Sequence, residues 1–133
     1  MRKNARESVF KILFSSIFNA ECDKDFRLFI YNEDSLNEQD VEFAEKLYQT
    51  IVSNEEVINN DISEISKGYS LERIYSTDKC ALKIAICEMR YFDDVPNIVA
   101  INEGMELVRK YSTPESPNFV NGILAEFKKR LEK

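Results

Sequence analysis

A central helix is predicted by the stretch Ala81-Leu82-Lys83-Ile84-Ala85-Ile86-Cys87-Glu88-Met89. Only Lys83 and Glu88 interrupt a surface that is otherwise apolar on every side of the helix. A helix of this kind is typical of the buried centre of a protein, because in any other place water would meet hydrophobic side chains. We therefore expect the remaining segments to pack around this helix.

The segments on either side of the central stretch also show helical spacing. Glycine and proline number three each among 133 residues, and apolar residues recur three or four positions apart. The spacing predicts six or seven helices, over about 3–20, 23–31, 37–66 with a break near Asn54, 77–91, from 96 onward and from 112 to 131. The fold class is therefore all-α, and the length fits a single domain over 1–133. Neighbouring helices joined by short connections should pack antiparallel.

The composition argues against catalysis and against metal or cofactor binding. The chain has no histidine, which removes the commonest general base and metal ligand. Its cysteines, Cys22, Cys80 and Cys87, lack Cys-x-x-Cys spacing, so structural zinc is not expected. There is no glycine-rich phosphate loop, and adjacent carboxylates such as Asp93 and Asp94 would face different ways on a helix. We expect a protein that is not an enzyme and uses no cofactor.

The chain carries no signal for membrane insertion or export. No apolar stretch approaches the roughly 20 residues that a membrane-spanning helix requires. The N-terminus leads directly into a charged helical pattern and lacks the small-residue cleavage site of a secretory signal. The expected location is the cytoplasm.

Charge is segregated along the chain. The net charge is −6, yet Arg2, Lys3, Arg6 and Lys11 are accompanied by only one acidic residue within 1–11. By contrast, residues 33–64 hold ten carboxylates and one lysine. Flexible basic side chains at the start of a helix can reach the phosphates of a nucleic acid. The asymmetry is compatible with a local basic site on an acidic protein.

The first helix has an apolar arc that is wider than one core face needs. Phe14 and Phe18 lie at the edge of this arc, where core packing should be complete. Glu88 raises a similar question, because a carboxylate on an apolar helix must pair, shift its pKa or face a partner. Exposed aromatic rings beside a charge favour a protein interface formed by these three residues.

Two further stretches place polar residues inside apolar helical runs. They are Ile98-Val99-Ala100-Ile101-Asn102-Glu103 and Phe119-Val120-Asn121-Gly122-Ile123-Leu124. Burying such groups without partners costs roughly 1–3 kcal/mol each. We predict that Asn102, Glu103 and Asn121 are structural, with the amides bonding free backbone groups at helix ends, and that Gly122 lets two helices approach closely.

Together with Leu71-Glu72-Arg73-Ile74 and the central stretch, these runs resemble the NusB transcription antitermination family from about Lys3 to Leu131. The resemblance implies two small helical bundles packed side by side, with the first helix in one and the central helix in the other. It also implies an antitermination factor that binds boxA-like single-stranded RNA jointly with NusE, a small-subunit ribosomal protein. Such a factor would help to assemble a complex on RNA polymerase during ribosomal RNA transcription.

The resemblance also implies where RNA would bind. The family has an arginine-rich N-terminus that contacts boxA RNA, and here Arg2, Lys3 and Arg6 match it, while Asn4 departs from a frequent basic residue. Two further candidates come from position. Phe119 lies in the turn that begins the last helix, where an aromatic ring can stack on unpaired bases or belong to the core instead. Lys79 lies at the start of the central helix, where a single lysine can equally be an ordinary solvated side chain.

The resemblance assigns the partner surface as well. Positions matching Phe14 and Glu88 help to bind NusE in the family, and Phe14 stands where many members have tyrosine. The alternative is a helical protein-interaction module with no RNA role. The acidic isoelectric point of about 4.8 favours that alternative.

Overall fold

The computed structural model describes residues 2–18, 22–66 and 73–132, and within these ranges the chain forms seven helices and no strands. The helices are α1 (Arg2–Phe18), α2 (Lys24–Glu33), α3 (Glu38–Ser53), α4 (Glu55–Ile65), α5 (Ser76–Tyr91), α6 (Asn97–Tyr111) and α7 (Ser116–Leu131). The all-α prediction is confirmed, including the break at Asn54. No helix in the described ranges is long and apolar enough to cross a membrane.

Short polar residues set several of the helix boundaries. The side chain of Asp23 accepts a hydrogen bond from the backbone N–H of Phe26 at 2.9 Å and so caps α2. Asn37 caps α3 in the same way through the N–H of Asp40. Asn54 ends α3 by donating its side-chain amide to a backbone carbonyl one turn earlier, and α4 begins directly after it. These residues satisfy backbone groups that a helix end leaves unpaired.

The helices form two bundles that meet along α5. In the first bundle α1 packs on α2 and α3, and in the second α5 packs on α4, α6 and α7. Helices α1 and α3 also pack on α5, so that α5 is covered from both bundles. Its buried residues include Ala81, Leu82, Ile84, Ala85 and Ile86. The predicted central helix and the two-bundle arrangement are both confirmed.

An ion pair inside the protein joins the two bundles. Arg6 of α1 donates from Nη2 to Oε1 of Glu88 at 2.7 Å and from Nε to Oε2 at 2.8 Å. Glu88 is fully buried and Arg6 is 5% exposed. Arg6 also donates to Glu103 of α6 at 3.4 Å and lies over the ring of Phe43 of α3. One guanidinium therefore contacts α3, α5 and α6.

This pair corrects two expectations. Glu88 was predicted to lack an internal partner and to face NusE, and that prediction is wrong because its carboxylate is enclosed with Arg6. Arg6 was predicted to contact RNA, but its guanidinium points into the core and is already hydrogen-bonded. Burial lowers the pKa of Arg6, yet the hydrogen bonds and charges of Glu88 and Glu103 outweigh it and raise that pKa overall. Burial raises the pKa of Glu88, against the opposing effect of Arg6.

The close helix approach predicted at Gly122 occurs instead at Gly104. A methyl group added at Gly104 of α6 would lie 3.2 Å from Cβ of Ala85 in α5 and 3.4 Å from a methyl of Leu124 in α7. Gly122 is exposed, and nothing lies within 4 Å of where its side chain would be. The expectation for Gly122 is therefore wrong, and Gly104 is the residue that allows α5, α6 and α7 to pack together.

We predict that Glu88→Leu lowers the free energy of unfolding by about 3–5 kcal/mol, because it leaves the Arg6 charge buried without its main partner. The double variant Arg6→Met with Glu88→Leu should recover at least half of this loss, since an apolar pair of similar size fills the same space. Urea denaturation measures both. As a control, Glu106→Gln breaks the exposed pair with Arg109 and should cost less than about 1 kcal/mol. A Glu88→Leu protein as stable as the control would refute the bridging role.

We also predict that Gly104→Val destabilises the protein by about 1–3 kcal/mol, because its methyl groups would overfill the contact with α5 and α7. The matched variant Gly122→Val places the same side chain in open space and should change stability by less than about 1 kcal/mol. Thermal melts of the two variants provide the comparison. Equal melting temperatures would contradict the close packing at Gly104.

Candidate nucleic-acid and protein interface

The start of α1 exposes two basic residues and holds one of them in place. Arg2 and Lys3 are both exposed. Arg2 donates from Nη2 to Oδ2 of Asp94, in the loop before α6, at 2.8 Å, and its guanidinium lies 4.4 Å above the ring of Phe43. The hydrogen bond from Arg2 lowers the pKa of Asp94, which keeps this carboxylate charged. The basic N-terminus is thus an exposed surface with an acidic residue built into it.

Lys3 lies beside a mixed patch of charges from the end of α6. A shallow pocket of about 330 Å³ brings Lys3 together with Arg109 and Lys110. Both cations of α6 are paired within the protein, since Arg109 bonds to Glu106 at 2.7 Å and Lys110 bonds to Glu7 at 2.5 Å. Burial raises the pKa of Glu7, but its bonds with Lys110 and Tyr111 outweigh that effect and lower the pKa overall. Much of the positive charge here is therefore already neutralised.

Lys79 and Phe119 lie away from the basic start of α1. Lys79 is half-buried and lines a groove of about 590 Å³, together with Leu13 and Cys80. Lys79 precedes Glu88 by nine residues on α5, a rise of about 13.5 Å, so it lies well away from Glu88 and its partner Arg6. Phe119 is also half-buried and lines a separate pocket of about 180 Å³ at the start of α7. The five predicted RNA contacts are not assembled into one patch.

The far end of α1 carries an aromatic surface. The rings of Phe14 and Phe18 lie 5.3 Å apart in an edge-to-face arrangement. Phe14 is half-buried, while Phe18 is 71% exposed and its neighbour Ile17 is 49% exposed. One turn earlier Phe10 is buried and stacks on Tyr111 of α6. Part of the wide apolar arc predicted for the first helix is therefore left uncovered.

Of the polar residues predicted to be structural, two are exposed and one contacts the buried ion pair. Asn102 and Asn121 are exposed, so the prediction that they are buried partners of helix ends is wrong. The buried face of α6 contains Ile101, Gly104 and Met105, and Asn102 falls on the opposite side. Glu103 does have a structural contact, the bond from Arg6. In the run 71–74, positions 71 and 72 lie outside the described residues.

A buried carboxylate that was not expected from the sequence joins three helices. Asp78, near the start of α5, is 2% exposed. It accepts hydrogen bonds from Ser112, just after α6, at 2.6 Å and from Ser116, at the start of α7, at 3.0 Å. Thr77 shares a further bond with Ser112. This cluster fixes the helix ends around which Phe119 is placed.

The chain is similar to known proteins along nearly its whole length. The model of the NusB family matches residues 3–129. The transcription antitermination protein NusB of Alkaliphilus oremlandii is 38% identical over 129 residues, which cover 95% of this chain and 91% of that protein. The solved structure of T. maritima NusB superposes with a TM-score of 0.87 at 31% identity, covering 97% of this chain and 91% of that one. A chain in the crystal structure of antitermination factors NusB and NusE in complex with dsRNA also gives a TM-score of 0.87, at 25% identity and with 97% and 96% coverage. Matched along nearly its whole length by a family model and by a relative of this similarity, the chain belongs to the NusB family.

Proposed function

We propose that this chain is a transcription antitermination factor that binds boxA-like single-stranded RNA together with NusE. It acts by binding rather than by catalysis, in the cytoplasm, on the RNA polymerase elongation complex during ribosomal RNA transcription. The observation that carries the proposal is the likeness over 97% of the chain to a protein solved with NusE in complex with dsRNA. The two separate exposed surfaces on α1 supply the contacts that such a complex needs.

The RNA surface in this proposal is the start of α1. Arg2 and Lys3 are exposed there and can neutralise phosphates, which releases counterions and favours binding. The overall negative charge limits this surface to a small basic region, so we expect modest RNA affinity for the protein alone. Lys79 and Phe119 supply two further contacts, which are separate from each other: Lys79 lies in the groove beside Leu13, and the half-exposed ring of Phe119 at the start of α7 can stack on a base.

The NusE surface in this proposal is the aromatic end of α1. Phe14 is anchored against the core, and Phe18 extends beyond it into solvent. Large aromatic side chains of this kind dominate the binding energy of many protein interfaces. Glu88 has no part in this surface, because its carboxylate is enclosed.

We predict that the double variant Arg2→Ala with Lys3→Ala binds boxA RNA more weakly and with a shallower salt dependence. The slope of log K against log salt should fall by about 1.4, because roughly 0.7 counterions are released per phosphate contact on a single strand. Fluorescence anisotropy with a labelled single-stranded boxA RNA, measured with and without NusE, gives the slope. A scrambled RNA and a double-stranded RNA of equal length test the sequence and strand preference.

The matched control removes two exposed lysines elsewhere, Lys24 at the start of α2 and Lys129 near the end of α7. It should leave the slope close to that of the wild type. An unchanged slope in the Arg2 and Lys3 variant would remove these residues from the RNA surface. If the wild type binds no RNA at low salt, alone or with NusE, the protein is instead a helical protein-interaction module with no RNA role.

We predict that Phe18→Ala weakens NusE binding at least about tenfold without changing the melting temperature, because an exposed aromatic anchor is lost while the core is untouched. Calorimetric titration of NusE and a thermal melt of each protein give the two quantities. The control is Ile98→Ala, which removes an apolar side chain that is 57% exposed at the start of α6. Equal effects of the two variants would show that α1 does not carry the interface.

A further inference from the structure

We propose that Asp94 lowers the RNA affinity of this protein, by pairing with the Arg2 guanidinium in the free state until an RNA phosphate displaces it. This inference rests on the proposed function. It gives a role in RNA binding to the acidic residue that lies within the basic N-terminal surface.

Arg2 is oriented by two neighbours that use different parts of its side chain. One face of the guanidinium lies 4.4 Å from the ring centre of Phe43, and Nη2 donates to Asp94 at 2.8 Å. Phe43 is itself fixed, because it is 6% exposed and meets the ring of Phe92 edge-on at 5.6 Å. The ring contact keeps the guanidinium close to one position, while its remaining N–H groups stay available.

The bond to Asp94 is of the kind that a phosphate can replace. Carboxylate and phosphate oxygens both fit the planar donor edge of arginine. The Arg2 and Asp94 side chains are 46% and 59% exposed, so water and ions reach both groups. Exposed pairs of this type are weak, and their exchange has a small cost. The hydrogen bond from Arg2 lowers the pKa of Asp94, as expected for a pair that forms in the free protein, and the carboxylate is charged at neutral pH.

Arg6, one turn further along α1, forms a buried ion pair whose carboxylate a phosphate cannot replace. Its side chain is 6% exposed, and two of its nitrogens bond to a carboxylate that is fully enclosed. Two arginines of the same helix are therefore paired differently. The Arg6 pair is buried and cannot exchange its partner, whereas the Arg2 pair is exposed and can.

A second cation lies in the same pocket as Asp94 and Arg2. Arg2 and Lys46 line one open pocket of about 470 Å³, and the ammonium of Lys46 lies 4.7 Å above the ring of Phe92. Acidic residues line it too, namely Asp40 and Glu42 in addition to Asp94. Among them, Asp94 accepts the hydrogen bond from Nη2 of Arg2.

The test is fluorescence anisotropy with a labelled single-stranded boxA RNA and NusE, on wild type, Asp94→Asn, Asp93→Asn, Arg2→Ala and the double variant Arg2→Ala with Asp94→Asn. Asp94→Asn should bind about two- to fivefold more tightly, as expected for the release of one exposed pair. Asp93→Asn removes the same charge one residue away and should gain clearly less. The double variant should bind no better than Arg2→Ala, because there is then no guanidinium to release.

Three results would overturn the inference alone while RNA binding by the wild type stands. They are no gain in Asp94→Asn, an equal gain in Asp93→Asn, or a gain that persists without Arg2. A carbon-detected NMR titration of the Asp94 carboxyl adds a readout that needs no RNA, since its pKa should rise in Arg2→Ala, and an unchanged pKa would refute the contact. If the wild type binds no RNA even with NusE, the proposed function fails and this inference fails with it.

Discussion

The buried pair between Arg6 and Glu88 is the interaction on which the rest of this structure depends. It places a charge from the first bundle against a charge from the central helix of the second, where both are removed from water. Such a pair contributes little if it is compared with an apolar replacement, but it is costly to break. It therefore fixes how α1 lies on α5 more than it adds to overall stability. The position of α1 on α5 in turn determines where the exposed side chains of α1, such as Arg2 and Phe18, lie on the protein surface.

The geometry of α1 explains why one helix presents two different surfaces. Arg2, Arg6, Phe10, Phe14 and Phe18 are spaced four residues apart. At 3.6 residues per turn, each step of four rotates the position by about 40° around the helix. A line of residues with this spacing crosses the buried face of the helix obliquely. Arg6 and Phe10, in the middle of the line, are buried, whereas Arg2 at the start of the helix and Phe18 at its end are exposed.

Sequence periodicity was sufficient for the helices, because burial of one face follows from local spacing. It predicted the central helix, the break at Asn54 and the all-α class. It could not pair Arg6 with Glu88, since the two residues lie 82 positions apart and only the packed bundles bring them together. For the same reason, the sequence predicted that Glu88 has no internal partner and that the guanidinium of Arg6 is exposed, whereas both groups are buried.

The small and polar residues were misplaced for a related reason. A polar residue inside an apolar run is buried only if it falls on the inner side of the helix, and a window of six residues does not reveal that side. Asn102 and Asn121 fall outside, whereas Gly104, which the pattern did not single out, meets Ala85 across the α5–α6 contact. The role of Asp94 likewise depends on a loop returning to the start of α1.

Hydrogen–deuterium exchange of the protein alone, with NusE and with boxA RNA can show whether Arg6 and Glu88 form an internal bridge while the two ends of α1 meet the partners. If they do, amides around 84–89 are strongly protected in the free protein and unaffected by either partner. NusE should slow exchange near Phe18, and RNA should slow it near Arg2. Fast exchange around Glu88 in the free protein, suppressed when NusE is added, would contradict the account.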